Sequence, residues 1–319
     1  MLKVPLTLVS PAGSRSRLSI MIFHRVLPQP DQLFPDDLDA RAFETQMRWV
    51  RSWFNVLPLD AAVEMLYSEA LPARALSITF DDGYADNAEV AAPILQRLGL
   101  TATFFVTTGF MSGGCMWNDR IIEAVRHCRS PQLDLRRIGF APLSLATPAD
   151  RRLSIMSLLN GIKHRSPDER AAAVEALVQV ADAPSAPSLM MNAEQVKRLA
   201  RIGMGVGAHT VTHPILTRLD STAAKAEMLA SKETLEQVLD RQVKLFAYPN
   251  GVPREDYAAE HVQMARACGF AAAVTTAWGA ATATSDRYQL PRFTPWDRSR
   301  TKYGARLIWN LAQRPHATA

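Results

Sequence analysis

Short apolar runs and apolar positions spaced three and four apart alternate along most of this chain. Residues 18–23 form a run broken only by Ser19 and ending at His24, which predicts a buried strand that delivers His24 to a loop. Phe43, Met47 and Val50, at i, i+4 and i+7, predict a helix, and residues 54–57 a second short strand. Asp60 stands where an N-cap belongs, ahead of Ala61, Val63 and Leu66. Leu76, Ile78 and Phe80 carry a strand that stops at Asp81-Asp82-Gly83. A helix over 88–98 closes at Gly99, and a strand follows over 102–106. The rhythm resumes with helix 193–201, strand 205–208, helix 223–239, strand 245–247, helix 257–267 and strand 271–275. Strand and helix in strict alternation predict an α/β fold with a parallel sheet.

Residues 111–189 break the rhythm. They hold two helical patterns, over 121–128 and 170–180, and a Pro/Ser/Ala-rich stretch over 183–188, and we read them as a helical insertion. The chain thus divides into 1–110, the insertion 111–189, a second barrel part 190–300, and a C-terminal helix and tail 301–319.

Composition narrows the class. Of 319 residues, 48% are hydrophobic and 21% charged, near globular averages, which excludes collagen-like, disordered and coiled-coil chains. No apolar window approaches bilayer length. A net charge of +5 without an early basic block gives nucleic-acid binding no support. Cys115, Cys128 and Cys268 form no C-x-x-C pair, which argues against a cysteine zinc site and fits a reducing compartment. Pro5 interrupts the first apolar stretch and no A-x-A site follows, so we expect a cytoplasmic protein.

The chemistry-bearing residues collect where three strands end: Asp81-Asp82, then His209 to His213, then Tyr248-Pro249-Asn250-Gly251. In a parallel α/β barrel those ends share one face. His209 and His213, four apart, can turn both imidazoles to one ion, with Asp82 as third ligand and water in the open positions. Such a set suits Zn²⁺ first, with Co²⁺, Fe²⁺ or Mn²⁺ as other fits, and water on the ion becomes a nucleophile near neutral pH. Adjacent residues at a strand end point apart, so Asp82 can ligate while Asp81 serves as general base. Each motif alone has a bland reading, a solvated turn or an ordinary histidine pair; their shared position argues for chemistry.

With these residues in place the chain resembles the polysaccharide deacetylase family, which shares the NodB homology domain. Thr79-Phe80-Asp81-Asp82-Gly83 matches T-F-D-D-G, His209-Thr210-Val211-Thr212-His213-Pro214 matches H-[ST]-x-x-H-P, and residues 246–251 are similar to F-x-x-P-x-G. The resemblance implies a distorted barrel of about seven β/α units. It also implies metal-dependent hydrolysis of the acetamide of N-acetylated sugars. Asp81 would be the base, Asp82, His209 and His213 the metal ligands, and the Tyr248 backbone N–H, fixed by Pro249, the oxyanion donor.

Two departures matter. Ala247 stands where the family often has a base-orienting Arg, and Leu290-Pro291-Arg292 where L-x-H would supply an acid; His261, in a predicted helix, and His316, in the tail, are poor replacements. We expect Arg292 to take over the charge partnership with Asp81, the alternative being a surface ion pair. We expect His24 to donate the proton to the leaving amine or to contact the sugar, the alternative being a histidine held by local hydrogen bonds. Trp117-Asn118-Asp119 reads as a helix start with Trp117 as packing anchor, and His127 and His164 as solvent-facing. Residues 302–313, with Leu307, Ile308, Trp309 and Leu311 beside the basic run Arg292, Arg298, Arg300, Lys302 and Arg306, read as a helix on the barrel. Its other reading is peripheral contact with a membrane carrying a lipid-linked glycan. Two rival functions stay open: an amide hydrolase of the same family on a non-sugar C–N bond, and a catalytically silent glycan-binding barrel.

Overall fold

The computed structural model describes residues 2–313 and 318–319, so His316 lies outside the described residues. Its helices are α1 (Lys3–Val9), α2 (Ala40–Trp53), α3 (Leu59–Tyr67), α4 (Ala92–Arg97), α5 (Trp117–His127), α6 (Pro148–Lys163), α7 (Pro167–Ala181), α8 (Ala193–Arg201), α9 (Ser221–Leu239), α10 (Ala259–Ala267) and α11 (Arg300–Ala312). The strands are β1 (Ser19–Phe23), β2 (Asn55–Val56), β3 (Ala75–Phe80), β4 (Thr103–Val106), β5 (Gln132–Leu133), β6 (Leu143–Ser144), β7 (Gly205–Ala208), β8 (Leu245–Ala247) and β9 (Ala272–Val274). Two compact units result: residues 1–28, 38–112 and 191–319 in one, and 29–37 with 113–190 in the other.

In the larger unit a parallel sheet runs β1-β3-β4-β7-β8-β9, with β2 on β3. All six residues of β3, Ala75–Phe80, are buried, as in a strand covered on both faces. One side chain set packs with the helices through Phe23, Phe43, Phe80 and Phe104; the other fills the sheet's inner face through Ile20, Phe105, Ala247 and Val274. Between β9 and β1 the irregular segment 290–294 closes the curl. Thr275 N–H donates to Leu290 O at 2.9 Å, Phe293 N–H to Ile20 O at 2.8 Å, and Ile22 N–H to the Thr294 hydroxyl at 2.8 Å. The result is the distorted β/α barrel expected. Parallel pairing puts His24, Asp81, His209 and Tyr248, each one residue beyond its strand, at the same end of the sheet.

Local sequence explains most boundaries and one difference. α3 begins at Leu59, so Asp60 sits in the first turn and is not the cap; Pro58 holds that position. Gly83 takes φ +87°, and a Cβ there would lie 3.1 Å from Val106 Cγ1 and 3.2 Å from Val106 Cα. Gly83→Ala is therefore expected to cost about 2–4 kcal/mol, read as a lowered Tm, by adding a left-handed penalty to a backbone clash.

The smaller unit holds α5, α6, α7 and the β5–β6 hairpin around a core of Ile121, Val125, Ile155, Leu158, Val174 and Leu177. Trp117 opens α5, with the Arg170 guanidinium 5.2 Å from its ring centre. Residues 29–37 join this unit: Leu33 is in its core and Asp31 takes both Arg126 amino groups, at 3.0 and 2.6 Å. His127 and His164 are exposed. Among the described residues no helix is long and apolar enough to cross a membrane. α11 packs through Tyr303, Leu307 and Leu311, with Trp309 left 44% exposed.

Candidate active site

Asp81 and Asp82 follow β3 and separate at once. Asp82 adopts φ +74°, a left-handed conformation, while Asp81 N–H stays in register and donates to Phe23 O at 2.9 Å. Asp81 meets Arg292 in a two-pronged pair, Nη1 to Oδ1 at 2.7 Å and Nη2 to Oδ2 at 2.6 Å. The arginine is fully buried, and its remaining bonds run to Thr275 O at 2.8 Å and Thr79 Oγ1 at 3.1 Å. Paired and buried in this way, Arg292 is not the surface ion pair weighed as the alternative. Burial alone would push the Asp81 carboxyl up; the charges of Arg292 and His209 and the Arg292 hydrogen bonds overcome it and hold the carboxyl below its ordinary value.

Asp82 faces the imidazole pair. Its Oδ1 lies 3.4 Å from His209 Nε2 and 3.3 Å from His213 Nε2. Those separations are long for a charge-assisted hydrogen bond. They match the edge of a tetrahedron whose corners sit about 2.1 Å from a central ion, about 3.4 Å. His209 Nδ1 is 2.7 Å from Ala247 O, so it carries the proton and leaves Nε2 a lone pair. Burial pushes the His213 imidazole down to about 4, against the pull of Asp82, so it is neutral near pH 7. Burial also works to neutralise His209, but the negative charges of Asp81 and Asp82 prevail and raise it. With Arg292 answering Asp81, the side-chain partners of the second buried carboxylate among the described residues are imidazoles, an arrangement that a cation would complete. The donor set and its spacing fit a divalent metal ion.

The loop between the histidines is held from three sides. Thr108 N–H donates to Thr210 O at 3.1 Å and Gly109 N–H to Val211 O at 2.8 Å. Thr210 Oγ1 accepts His213 N–H at 3.2 Å. From α9, Glu227 accepts Val211 N–H at 2.8 Å, Thr212 N–H at 2.9 Å and the Thr212 hydroxyl at 2.7 Å. Thr210 at φ +65° and His213 at φ +57° need such support. The sequence reading missed Glu227, which no motif marks and which only the packing of α9 brings to the loop. Glu227→Ala is expected to weaken metal affinity about tenfold, within the range for an outer partner of a metal ligand, as read by metal competition.

His24 is exposed at the end of β1, the strand that pairs with β3, whose end carries Asp81 and Asp82. Its backbone is fixed: Asn87 Nδ2 donates to His24 O at 2.8 Å, and Asp86 accepts Arg25 Nε at 2.8 Å and Val26 N–H at 3.2 Å. His261 is buried in α10, where Nδ1 accepts Ala258 N–H at 3.0 Å, a capping role.

Tyr248 does not take the part expected of it. Its N–H donates to Val274 O at 3.2 Å, extending the β8–β9 ladder, so that donor is spent. Its ring stacks on Tyr257 with centres 4.0 Å apart, and its hydroxyl donates to Tyr288 O at 3.0 Å. Tyr248 is a core residue. Pro249 is buried, and its carbonyl accepts Gly251 N–H at 2.6 Å across Asn250, which sits at φ +58°. In this turn Pro249 has no N–H, and among the described residues the Asn250 N–H has no acceptor. Asparagine, tolerant of the left-handed region after a proline, was the signal in the sequence.

The profile of the family described as Polysaccharide deacetylase matches residues 68–132 and 171–273, over half of the chain. The curated protein YxkH of Bacillus subtilis (strain 168), a polysaccharide deacetylase by its given name, is 22% identical over 279 residues, covering 87% of this chain and 71% of that one. The fold is similar to that of the Streptococcus pyogenes deacetylase PplD in complex with acetate, with TM-score 0.61 and 20% identity over 92% of this chain and 98% of that one. It is also similar to IcaB from Ammonifex degensii, with TM-score 0.58 and 18% identity over 95% and 99%. The chain therefore belongs to the polysaccharide deacetylase family, hydrolases of carbon–nitrogen bonds other than peptide bonds.

Proposed function

We propose that this protein removes the acetyl group from N-acetylated sugars of a glycan, releasing acetate and a free amine. The observation that carries the reading is the buried pair of aspartates with separate partners, Asp81 on Arg292 and Asp82 on the two histidines. Asp82, His209 and His213 would hold a divalent ion, Zn²⁺ being the best match to their nitrogen and oxygen donors. When bound, such an ion supplies Lewis acidity, polarising the acetamide carbonyl and easing the ionisation of water.

The chain's own residues do the rest. Asp81, kept ionised and oriented by Arg292, accepts the proton of the attacking water. Asn250 N–H is the donor we assign to the oxyanion. His24, exposed on the neighbouring strand end, gives the proton to the departing nitrogen. The similar fold of the deacetylase PplD is in complex with acetate, the product this reading requires. Acetate release from a panel of N-acetylated oligosaccharides, set against small cyclic amides and imides, tests it. Sugars are expected to give acetate; turnover of the cyclic amides alone would overturn the sugar assignment, and metal uptake without release from any substrate would leave a glycan-binding barrel.

A further inference from the structure

The outer face of α11 carries Lys302, Arg306 and Trp309 at spacings of four and three, while Tyr303, Leu307 and Leu311 turn inward. α1 lies alongside it. A Cβ at Gly304 would collide with Leu2 Cδ1, so glycine there lets the start of α1 press against α11. At the other end the Ser10 hydroxyl donates to Arg17 O at 2.9 Å, and the Arg17 guanidinium reaches the Leu311 and Gln313 carbonyls at 2.5 and 2.9 Å. On α1, Leu6 is buried and Leu2 and Val9 pack against the core, which leaves Val4 and Leu8, four apart, on the opposite face at 70% and 77% exposure.

On the other flank of α11, Asn310 Nδ2 donates to Gly279 O at 3.0 Å and holds Trp278 beside Trp309, ring centres 6.5 Å apart. Trp296 lies 5.8 Å from Trp278. These three indoles are 45%, 44% and 57% exposed for Trp278, Trp309 and Trp296. The outer faces of α1 and α11 and the indoles thus lie side by side. They hold five of the ten large hydrophobic side chains exposed among the described residues, so the solvent-facing apolar groups are concentrated here.

The charge of this region is one-sided. Residues 1–17 and 298–313 contain seven of the chain's 36 bases and none of its 31 acids, so the remainder of the chain is slightly negative. All seven but Arg17 and Arg306 are exposed. Arg306 is paired with Asp297, and its guanidinium covers the Trp296 ring at 3.7 Å from the centre. Aliphatic groups and indoles set among cations compose a face that beds into a lipid headgroup layer, where Trp is at home and anionic phosphates answer Lys and Arg. The core of a protein interface, by contrast, is depleted of lysine. Among the described residues no helix is long and apolar enough to cross a membrane, so this contact is one of lying on the surface. We propose that α1 and α11, with Trp278 and Trp296, dock this protein on an anionic bilayer, with Val4, Leu8 and the indoles in the headgroup layer. The proposal does not rest on the deacetylase reading.

Full-length protein is sedimented with phosphatidylcholine vesicles and with equimolar phosphatidylglycerol and phosphatidylcholine vesicles. Binding to the anionic vesicles is expected, falling with salt, and at least tenfold weaker on phosphatidylcholine. The double variant Lys3→Glu, Lys302→Glu should lower anionic-vesicle affinity at least tenfold, since each cation near such a surface counts about fivefold. Leu8→Ser and Trp309→Ala should each lower it about tenfold. Leu8 is open to solvent, so an unchanged Tm in Leu8→Ser separates lost contact from lost folding. No pelleting with the anionic vesicles overturns the proposal, as does equal pelleting with both kinds or pelleting that none of these variants weakens. A dimer that Leu8→Ser dissolves, seen by analytical ultracentrifugation in place of pelleting, overturns it in favour of a second copy of the chain. Acetate release from soluble oligosaccharides bears on none of these outcomes, so loss of the deacetylase reading would leave the membrane face standing.

Discussion

Asp81→Asn is expected to lower kcat by about 10²–10⁴-fold while leaving the metal content of the purified protein unchanged. Asparagine keeps the shape and can still accept from Arg292, but it cannot take a proton from water. Asp82, His209 and His213 are untouched, so loss of metal along with activity would show that Asp81 serves the metal site and not the chemistry. Arg292→Met probes the same pair from the other side. With the guanidinium gone, burial loses its main counterweight at the Asp81 carboxyl and its pKa rises. The sign follows: in the unsubstituted protein the folded pKa lies below the ordinary carboxylate value of about 4, so the pair adds stability above that value and loses it as the pH falls through the folded pKa. In Arg292→Met the acid limb of kcat/KM should move to higher pH. An unmoved limb would mean that Asp81 is not the group that must be ionised.

His209→Ala should have a comparably large effect through a different quantity. It removes one of the three candidate ligand atoms and also the Nδ1 contact to Ala247 that fixes the ring. Structural zinc sites release most of their binding energy only with the ligand set complete. Metal content by mass spectrometry should therefore fall from near one ion per chain to near none, with activity at background. Chelation of the unsubstituted protein should reproduce the loss, and Zn²⁺ should restore it there but not in the variant. Full activity after complete chelation would remove the metal from the mechanism.

The elements that could be read from the sequence are those whose signal is local. β7, β8 and α8 fall on the residues their apolar pattern marks, because a strand buried on both faces is a plain apolar run and α8 presents one clean stripe. α6 escaped notice because Leu153 and Met156, 71% and 54% exposed, blur the stripe formed by Ile155, Leu158 and Ile162. Its start was nonetheless written in Thr147, Pro148 and Asp150, a capping box. The cluster of Asp82, His209 and His213 was legible because two histidines four apart and an aspartate at a strand end are marked by spacing alone. Tyr248 was misassigned because a sequence does not show whether an N–H is already committed to a neighbouring strand, and Val274 claims it. Glu227 and the 29–37 loop were invisible for a related reason: their partners are brought near only by the fold.

The segment that closes the seam between β9 and β1 also sets when the protein can become competent during its synthesis. Asp81 leaves the ribosome in the first third of the chain, yet the guanidinium that answers it arrives some two hundred residues later, on a stretch with no regular secondary structure of its own. A nascent or clipped polypeptide ending between His213 and that stretch would carry both aspartates and both histidines and still lack the cation that steadies the first of them.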